Sequence, residues 1–103
     1  MLENKLFKFE EGVVSRWASH ENPDGAKGAG GTVRNGRKGA PWFTLNPGES
    51  RVLAHAENTS GIIRRMWITI SDQTPETLRG IKLEMFWDNS EKPAVSVPLG
   101  DFF

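Results

Sequence analysis

Residues 81–103 show the clearest alternation of apolar and polar side chains in the chain, and they predict a pair of β-strands. Over residues 81–88, apolar side chains alternate with mostly charged ones. A period of two is typical of a strand that buries one face. Residues 88–93 then supply turn-forming side chains, and residues 94–99 alternate again. The pattern predicts two extended segments joined by a tight reversal.

Three further segments have the composition of strands, namely residues 41–45, 50–57 and 61–70. The last of these is rich in β-branched and aromatic residues and apolar on both faces, which predicts a central strand covered on both sides. Short strands separated by turn signals at roughly 8–12-residue spacing are typical of an antiparallel sandwich. We therefore predict an all-β fold: an antiparallel, jelly-roll-like β-sandwich, incomplete and equivalent to half of a double jelly roll.

Local signals place turns and one short helix between these segments. Residues 22–25, 35–36 and 46–49 contain the Asn, Pro and Gly combinations of tight turns. Thr74 followed by a proline and a glutamate predicts a helix start, and the helix is expected to end at Gly80. Residues 10–19 predict a short helix or a turn, because apolar side chains recur there at helical spacing.

Composition and charge narrow the classes of function. Hydrophobic residues make up 37% of the chain and charged residues 25%, which indicates a globular protein. The 13 basic residues equal the 13 acidic ones, so general attraction to nucleic acid or to a membrane surface is not expected. Cysteine is absent, which excludes disulfides and thiol nucleophiles. No apolar run reaches the roughly 20 residues of a membrane span and no signal peptide is evident, so we expect a cytoplasmic location as expressed.

Three places combine a polar group with features of a ligand-binding site. Residues 20–40 form a glycine-rich loop in which Asn22 and Lys27 are candidate binding residues; the alternative is a solvated turn. Trp87 and Asp88 pair an aromatic ring with a carboxylate, although the strand phase of Trp87 favours the core. Asp101 and Phe102 repeat that pairing after a glycine; the alternative is a turn-capping aspartate beside core aromatics. The substrate-binding candidates are Asn22, Lys27, Trp87, Asp88, Asp101 and Phe102.

No catalytic residue can be assigned from the residues alone. Glu84 and Asp88 would lie on one strand face about 13 Å apart, which is too far for two carboxyl groups that act on the same bond. His20 and His55 lack the spacing of metal ligands, so neither a metal nor another cofactor is expected.

Three phrases of the chain resemble a known family of glycoside hydrolases. They are Gly-Ile-Ile-Arg-Arg-Met-Trp-Ile-Thr-Ile at residues 61–70, Leu-Glu-Met-Phe-Trp-Asp at residues 83–88, and Pro-Ala-Val-Ser-Val-Pro-Leu-Gly-Asp-Phe-Phe at residues 93–103. Together they are similar to the N-terminal part of the family of difructose-dianhydride synthase and α-D-fructofuranosidase, formerly a domain of unknown function. Residues 18–28 depart from the Ser-Ser-Tyr-Asp and Gly-Gly-Asn phrases of many members, which indicates a divergent branch.

The resemblance implies a double jelly roll that assembles as trimers or multiples of trimers. It also implies retaining cleavage of α-furanosides by two glutamates, neither of which can be matched to a glutamate of this chain. Since two phenylalanines are an unusual terminus, we expect residues 1–103 to be either one β-sandwich domain or the N-terminal fragment of a larger protein. The predicted function is a scaffold and sugar-contact portion of a furanoside-cleaving hydrolase, inactive alone. The alternative is a carbohydrate-binding, homo-oligomerising jelly-roll module without catalysis.

Overall fold

The computed structural model describes residues 7–37, 39 and 41–103. The chain divides into two compact units, Met1–Gly61 and Ile62–Phe103, called the first unit and the second unit below. The described helices and strands all lie in the second unit. Within the described ranges, no helix has both the length and the apolar character that crossing a bilayer requires. The prediction of a single domain stays a prediction.

The second unit is built on the strand pair that the alternation predicts. Its elements, in chain order, are helix α1 (Pro75–Gly80), strand β1 (Lys82–Met85), strand β2 (Val95–Pro98) and helix α2 (Leu99–Phe102). The two strands pair antiparallel, with Lys82 opposite Pro98 and Met85 opposite Val95. The predicted pairing of the two extended segments is thus confirmed.

Helix α1 begins and ends where the sequence predicts. Thr74 is the N-cap, and its hydroxyl accepts a hydrogen bond from the Thr77 amide at 3.3 Å. Pro75 occupies the first turn, where a missing backbone N–H costs nothing. The negative charge of Glu76 in the first turn and the positive charge of Arg79 in the last turn both interact favourably with the helix dipole. These local interactions define a helix of six residues ending at Gly80.

The small core of the second unit lies between the strand pair and the two helices. Leu83 of β1 and Leu99 of α2 are the buried hydrophobic residues of the described chain, at 7% and 8% exposure. Gly100 lies so close to α1 that a Cβ atom there would be 2.8 Å from the Leu78 Cβ. The absence of a side chain at position 100 therefore allows α1 and α2 to approach each other.

In the described part of the first unit, tight turns take the place of helices and strands. The predicted turn at residues 22–25 is confirmed by a hydrogen bond from the Gly25 amide to the Asn22 carbonyl at 3.1 Å. At residues 46–49 the Glu49 amide donates to the Asn46 carbonyl at 3.0 Å. Gly48 has the positive φ of 82° that the third residue of a type II turn requires.

The predicted two-residue turn at Asn35 and Gly36 is also present. Both residues have positive φ, at 58° and 84°, and the Arg37 amide donates to the Arg34 carbonyl at 3.2 Å. The described residues around it do not form strands, so the turn does not close a hairpin ladder. Of the helix or turn predicted for residues 10–19, the structure has a turn at residues 10–13, where the Val13 amide is bonded to the Glu10 carbonyl at 3.3 Å, and no helix.

The prediction of a jelly-roll-like β-sandwich, or half of a double jelly roll, is wrong. The structure contains two antiparallel strands and two short helices among its described residues, and residues 41–45, 50–57 and 61–70 are not strands. A strand needs a neighbour that takes up its backbone N–H and C=O groups. The apolar, β-prone composition of these segments favours extended backbone, but it does not supply that neighbour.

Two tryptophans expected in the core are largely exposed. Trp67, on the segment predicted as a central strand, is 74% exposed, and Trp87, two residues beyond the end of β1, is 48% exposed. By alternation in the sequence, Trp87 would fall on the same strand face as Leu83. Strand β1 ends at Met85, however, so Trp87 does not continue that face. The core interpretation of both tryptophans is therefore wrong.

Candidate functional site

A cavity in the first unit brings two of the predicted sugar contacts together. It has a volume of about 260 Å³, and both Asn22 and Lys27 line it. Arg16 and Trp17 form another part of the lining, and glycines contribute much of the remainder. The cavity therefore combines an aromatic ring, two cationic side chains and exposed backbone.

The side chain of Asn22 holds the loop that frames this cavity. Its amide nitrogen donates to the Ala26 carbonyl at 3.0 Å, and its amide oxygen accepts from the Ala26 N–H at 3.1 Å. The backbone of Asn22 also exchanges two hydrogen bonds with Ser19, at 3.0 and 3.1 Å. At 8% exposure, Asn22 is buried with these groups satisfied. The arrangement gives Asn22 a positioning role, while Lys27 is exposed beside the cavity.

Gly25 allows the loop to pack closely against Arg16 and Trp17. A Cβ atom on this residue would lie 3.3 Å from the Arg16 Cβ and 3.6 Å from the Trp17 carbonyl. Gly25 is buried and has a φ of 60°, which side chains other than glycine adopt at a cost. Both features explain why the Asn-Pro-Asp-Gly turn ends in glycine at this place.

Trp17 is the member of the site that sequence reasoning missed. The sequence pattern of residues 10–19, which include Trp17, predicts no binding role, yet Trp17 lines the cavity and is 57% exposed. An exposed indole beside hydrogen-bonding groups is a common platform for the apolar face of a sugar ring. A tryptophan close to a glycine-rich polar loop was the available signal.

Glu21 contributes a carboxylate next to the cavity loop. One of its oxygens, Oε1, accepts a hydrogen bond from the Gly31 amide at 3.1 Å. The other oxygen, Oε2, is buried and has no hydrogen-bond partner among the described residues. The hydrogen bond between Gly31 and Glu21 links the start of the cavity loop to the glycine-rich segment that follows it.

An aromatic contact fixes the start of the same loop. The ring of His20 lies 5.3 Å from the ring of Phe43, measured between centroids. The guanidinium carbon of Arg51 lies 4.6 Å from the centroid of Phe43, within cation–π range. Phe43 thus links the His20 end of the loop to residues farther along the first unit.

In the second unit, Trp87 and Asp88 lie in the turn between the two strands. The Ser90 amide donates to the Trp87 carbonyl at 3.0 Å, and Asp88 and Asn89 both have positive φ. Asp88 and Trp87 are exposed. The turn presents both side chains at its tip, and neither residue lines the cavity of the first unit.

Asp101 and Phe102 lie in α2, at the opposite end of the strand pair from Trp87. The Asp101 carboxylate forms an ion pair with Arg79 of α1, with Oδ2 and Nη2 3.2 Å apart. The rings of Phe102 and Phe103 meet edge to face at 5.1 Å. The structure therefore does not bring the pair of Trp87 and Asp88 together with Asp101 and Phe102.

Glu49 and Asp72 do not have the electrostatics of an acid catalyst. Hydrogen bonds from Asn46 lower the pKa of Glu49, and those from Thr77 and Thr74 lower the pKa of Asp72. A general acid in glycoside cleavage needs the opposite shift. Over residues 7–37, 39 and 41–103, no three His, Asp or Glu side chains cluster as a metal site would require.

Comparison with known proteins gives one match. A family model described as GH172 domain-like matches residues 38–103, which include the second unit and the end of the first but not the cavity. No curated protein and no solved structure matches the chain. The matched residues make up more than half of the chain and contain the three phrases that resemble the glycoside hydrolases. The chain therefore belongs to the GH172 domain-like family, and its function is related to that of glycoside hydrolases.

Proposed function

We propose that this chain is the scaffold and sugar-contacting portion of a furanoside-cleaving glycoside hydrolase and does not cleave furanosides by itself. The observation that carries the proposal is the family match over residues 38–103. The family relates the chain to glycoside cleavage. The restriction to furanosides rests on the resemblance of residues 61–70, 83–88 and 93–103.

The proposed sugar contact is the cavity of the first unit. Trp17 supplies an apolar face, and Lys27 and the loop backbone supply hydrogen-bonding groups around a volume of about 260 Å³. Sites for small ligands combine an apolar wall with a few fixed polar groups in this way. Asn22 keeps the loop in place through its two bonds to Ala26. The exposed Trp87 and Asp88, and Asp101 with Phe102, are proposed as secondary contacts outside this cavity.

The proposed lack of turnover follows from how the carboxylates are used. Asp101 is neutralised by Arg79, and Glu84 is 3.2 Å from the ammonium group of Lys82. The carboxyl groups of Glu49 and Asp72, whose pKa values are lowered, accept hydrogen bonds from the backbone, Glu49 in the turn at residues 46–49 and Asp72 at the start of α1. Retaining cleavage needs one protonated and one ionised carboxyl group facing the same bond.

The sugar contact can be tested by nuclear magnetic resonance on the isotope-labelled 103-residue chain. Titration with methyl α-arabinofuranoside and with methyl α-fructofuranoside should shift the Trp17 indole N–H and the Lys27 amide. W17A should abolish the shift of the Lys27 amide, while W42A should preserve both shifts, because Trp42 is an exposed tryptophan of the same unit outside the cavity lining. Sugar-induced shifts that persist in W17A would place the contact elsewhere.

The lack of turnover can be tested with nitrophenyl α-arabinofuranoside and a chromogenic fructofuranoside. The purified chain should release no more chromophore than buffer does. Turnover that disappears with a single substitution such as E21Q or D101N would contradict the proposal and identify a catalytic carboxylate.

We also propose that copies of the chain associate, as trimers or multiples of trimers. The trimer number comes from the family resemblance alone. The association itself is favoured by the exposed apolar side chains of the second unit, such as Ile62, Ile63 and Trp67 at 60%, 55% and 74% exposure. Apolar surface of this kind marks interaction sites in soluble proteins.

A further inference from the structure

The cavity of the first unit carries positive charge that the described chain does not neutralise. Arg16 and Lys27 both line it, and neither has an ion-pair partner among the residues that the structure describes. The neighbouring acids Glu21 and Asp24 do not line the cavity. Glu21 instead directs one oxygen to the Gly31 amide.

The second unit also has a depression lined by cationic side chains, which can be compared with the first-unit cavity. A depression of about 170 Å³ there is lined by Arg79 and Lys82. Each of these cations already has a carboxylate partner at 3.2 Å, Asp101 and Glu84 respectively. The charges at that depression are compensated within the chain, whereas Arg16 and Lys27 at the first-unit cavity form no ion pair with the described residues.

We propose that the first-unit cavity binds a sugar residue that carries a negative charge, either a uronic acid carboxylate or a phosphate ester. Arg16 and Lys27 would bind the anionic group, and the Trp17 ring would pack against the sugar. The inference rests on the proposed sugar contact, because it concerns the same cavity. A neutral furanoside needs hydrogen-bond donors and acceptors, and it leaves two unpaired cations without a role.

The size and chemistry of the cavity fit a single charged ring. Its volume of about 260 Å³ is below the roughly 300–1,000 Å³ range of pockets for drug-sized ligands, which suits one sugar residue. Arginine binds carboxylate and phosphate through two parallel donors, and lysine adds a point charge. Backbone at Gly28 and Gly30 lets a ligand approach closely, because no side chain stands in the way.

The inference can be tested by titrating the labelled 103-residue chain with matched pairs of charged and neutral sugars. Methyl glucuronide is compared with methyl glucoside, arabinose 5-phosphate, which can close only to a furanose, with methyl α-arabinofuranoside, and inorganic phosphate serves as the sugar-free anion. We expect the charged member of at least one pair to bind about tenfold more tightly, because charge-assisted hydrogen bonds add that much. The pair that shows the preference identifies the carboxylate or the phosphate as the group bound.

Substitutions in the cavity should remove this preference. R16Q and K27Q should each reduce the binding of the charged sugar to that of its neutral partner, and salt should weaken the charged pair only. K8Q is the matched control, because Lys8 is an exposed cation outside the cavity lining. Trp17 indole shifts report on the ring in every variant and confirm that the loop is still folded.

Each outcome decides a different point. Equal affinity for charged and neutral sugars, with shifts at Trp17, would overturn the charge preference and leave the proposed sugar contact standing. Inorganic phosphate that binds as tightly as arabinose 5-phosphate would overturn the sugar part of the inference. No shift at Trp17 with any sugar would overturn both the inference and the proposed contact.

Discussion

Single polar side chains organise the backbone of the first unit. Asn22 takes up both the N–H and the carbonyl of Ala26, and Glu49 accepts from both the backbone and the side chain of Asn46. In each case a side chain supplies the hydrogen bonds that a helix or a strand would otherwise provide. Asn and Asp favour turns for this reason. The geometry of the candidate cavity therefore depends on the hydrogen bonds of a few polar side chains, which can be removed by substitution.

Asn22→Ala should loosen the cavity loop. The substitution leaves the N–H and the carbonyl of Ala26 without their partner, at a cost of about 1 kcal/mol for each lost bond. We expect the hydrogen exchange of the Ala26 amide to accelerate about fivefold or more, and sugar-induced shifts at Trp17 to weaken. Asn58→Ala is the control, because Asn58 is an exposed asparagine outside the cavity lining. An unchanged exchange rate at Ala26 would show that the backbone holds the loop without Asn22.

Short helices of the second unit depend on groups outside them. Asp72 lies before α1, where its Oδ1 accepts from the Thr74 amide at 3.0 Å and its Oδ2 accepts from the Thr77 hydroxyl at 2.7 Å. These bonds stabilise the ionised carboxylate and lower the pKa of Asp72. A six-residue helix is too short to persist on propensity alone. The capping network and the packing of Leu78 against Gly100 are therefore what hold α1.

Acid should loosen the start of α1. Because the folded pKa of Asp72 is lowered, its stabilising contribution is present above the pKa of an unfolded aspartate, about 3.9, and is lost as the pH falls through the folded value. We expect the Thr74 and Thr77 amide signals to titrate below that unfolded pKa. D72N should remove this titration, whereas E91Q should leave it unchanged. A midpoint at the unfolded pKa would contradict the capping role.

Gly100→Ala should separate α1 from α2. The new Cβ would be 2.8 Å from the Leu78 Cβ and 3.3 Å from the Leu78 carbonyl oxygen, a contact that requires the two helices to move. Overpacking of this kind costs about 1–3 kcal/mol in the free energy of unfolding, measurable by urea denaturation.

Gly80→Ala is the matched control for Gly100→Ala, because nothing lies within 4 Å of a Cβ at position 80. Alanine also has the higher helix propensity, so this variant should be as stable as the natural chain or more stable. Equal stability of the two variants would show that α1 and α2 do not pack closely.

The sequence predicted those features that depend on neighbouring residues. The turns at residues 22–25, 35–36 and 46–49, the α1 start at Thr74 and the β1–β2 pair each arise from local rules of backbone geometry. The prediction of a sandwich was wrong because strand pairing is decided by distant segments, and residues 61–70 do not form a strand in the described chain. Lys27 and Asn22 could be named from their loop, whereas the only sequence signal for Trp17 was its nearness to that loop, and the folded turn at Gly25 is what brings residue 17 to the cavity.

Few apolar side chains of the described chain are buried, and this shapes what the molecule can do. Leu83 and Leu99 are the buried hydrophobic residues, while Ile62, Ile63 and Trp67 remain between 55% and 74% exposed. Removing apolar surface from water stabilises a protein by about 25 cal/mol per Å². The exposed stretch at residues 62–68 therefore represents a stabilisation that association with another copy would realise.

We expect the chain to self-associate through residues 62–68. Sedimentation velocity over increasing concentration should show a species heavier than the monomer, and W67K should shift the distribution toward the monomer, because a charge at a buried interface is costly. S71K is the control, since Ser71 is an exposed polar residue close by in the chain. If W67K and S71K dissociate the assembly equally, general charge repulsion and not the apolar stretch would be the cause. If the natural chain remains monomeric at every concentration, residues 62–68 are not a self-association surface, while the sugar titrations of the first unit would keep their meaning.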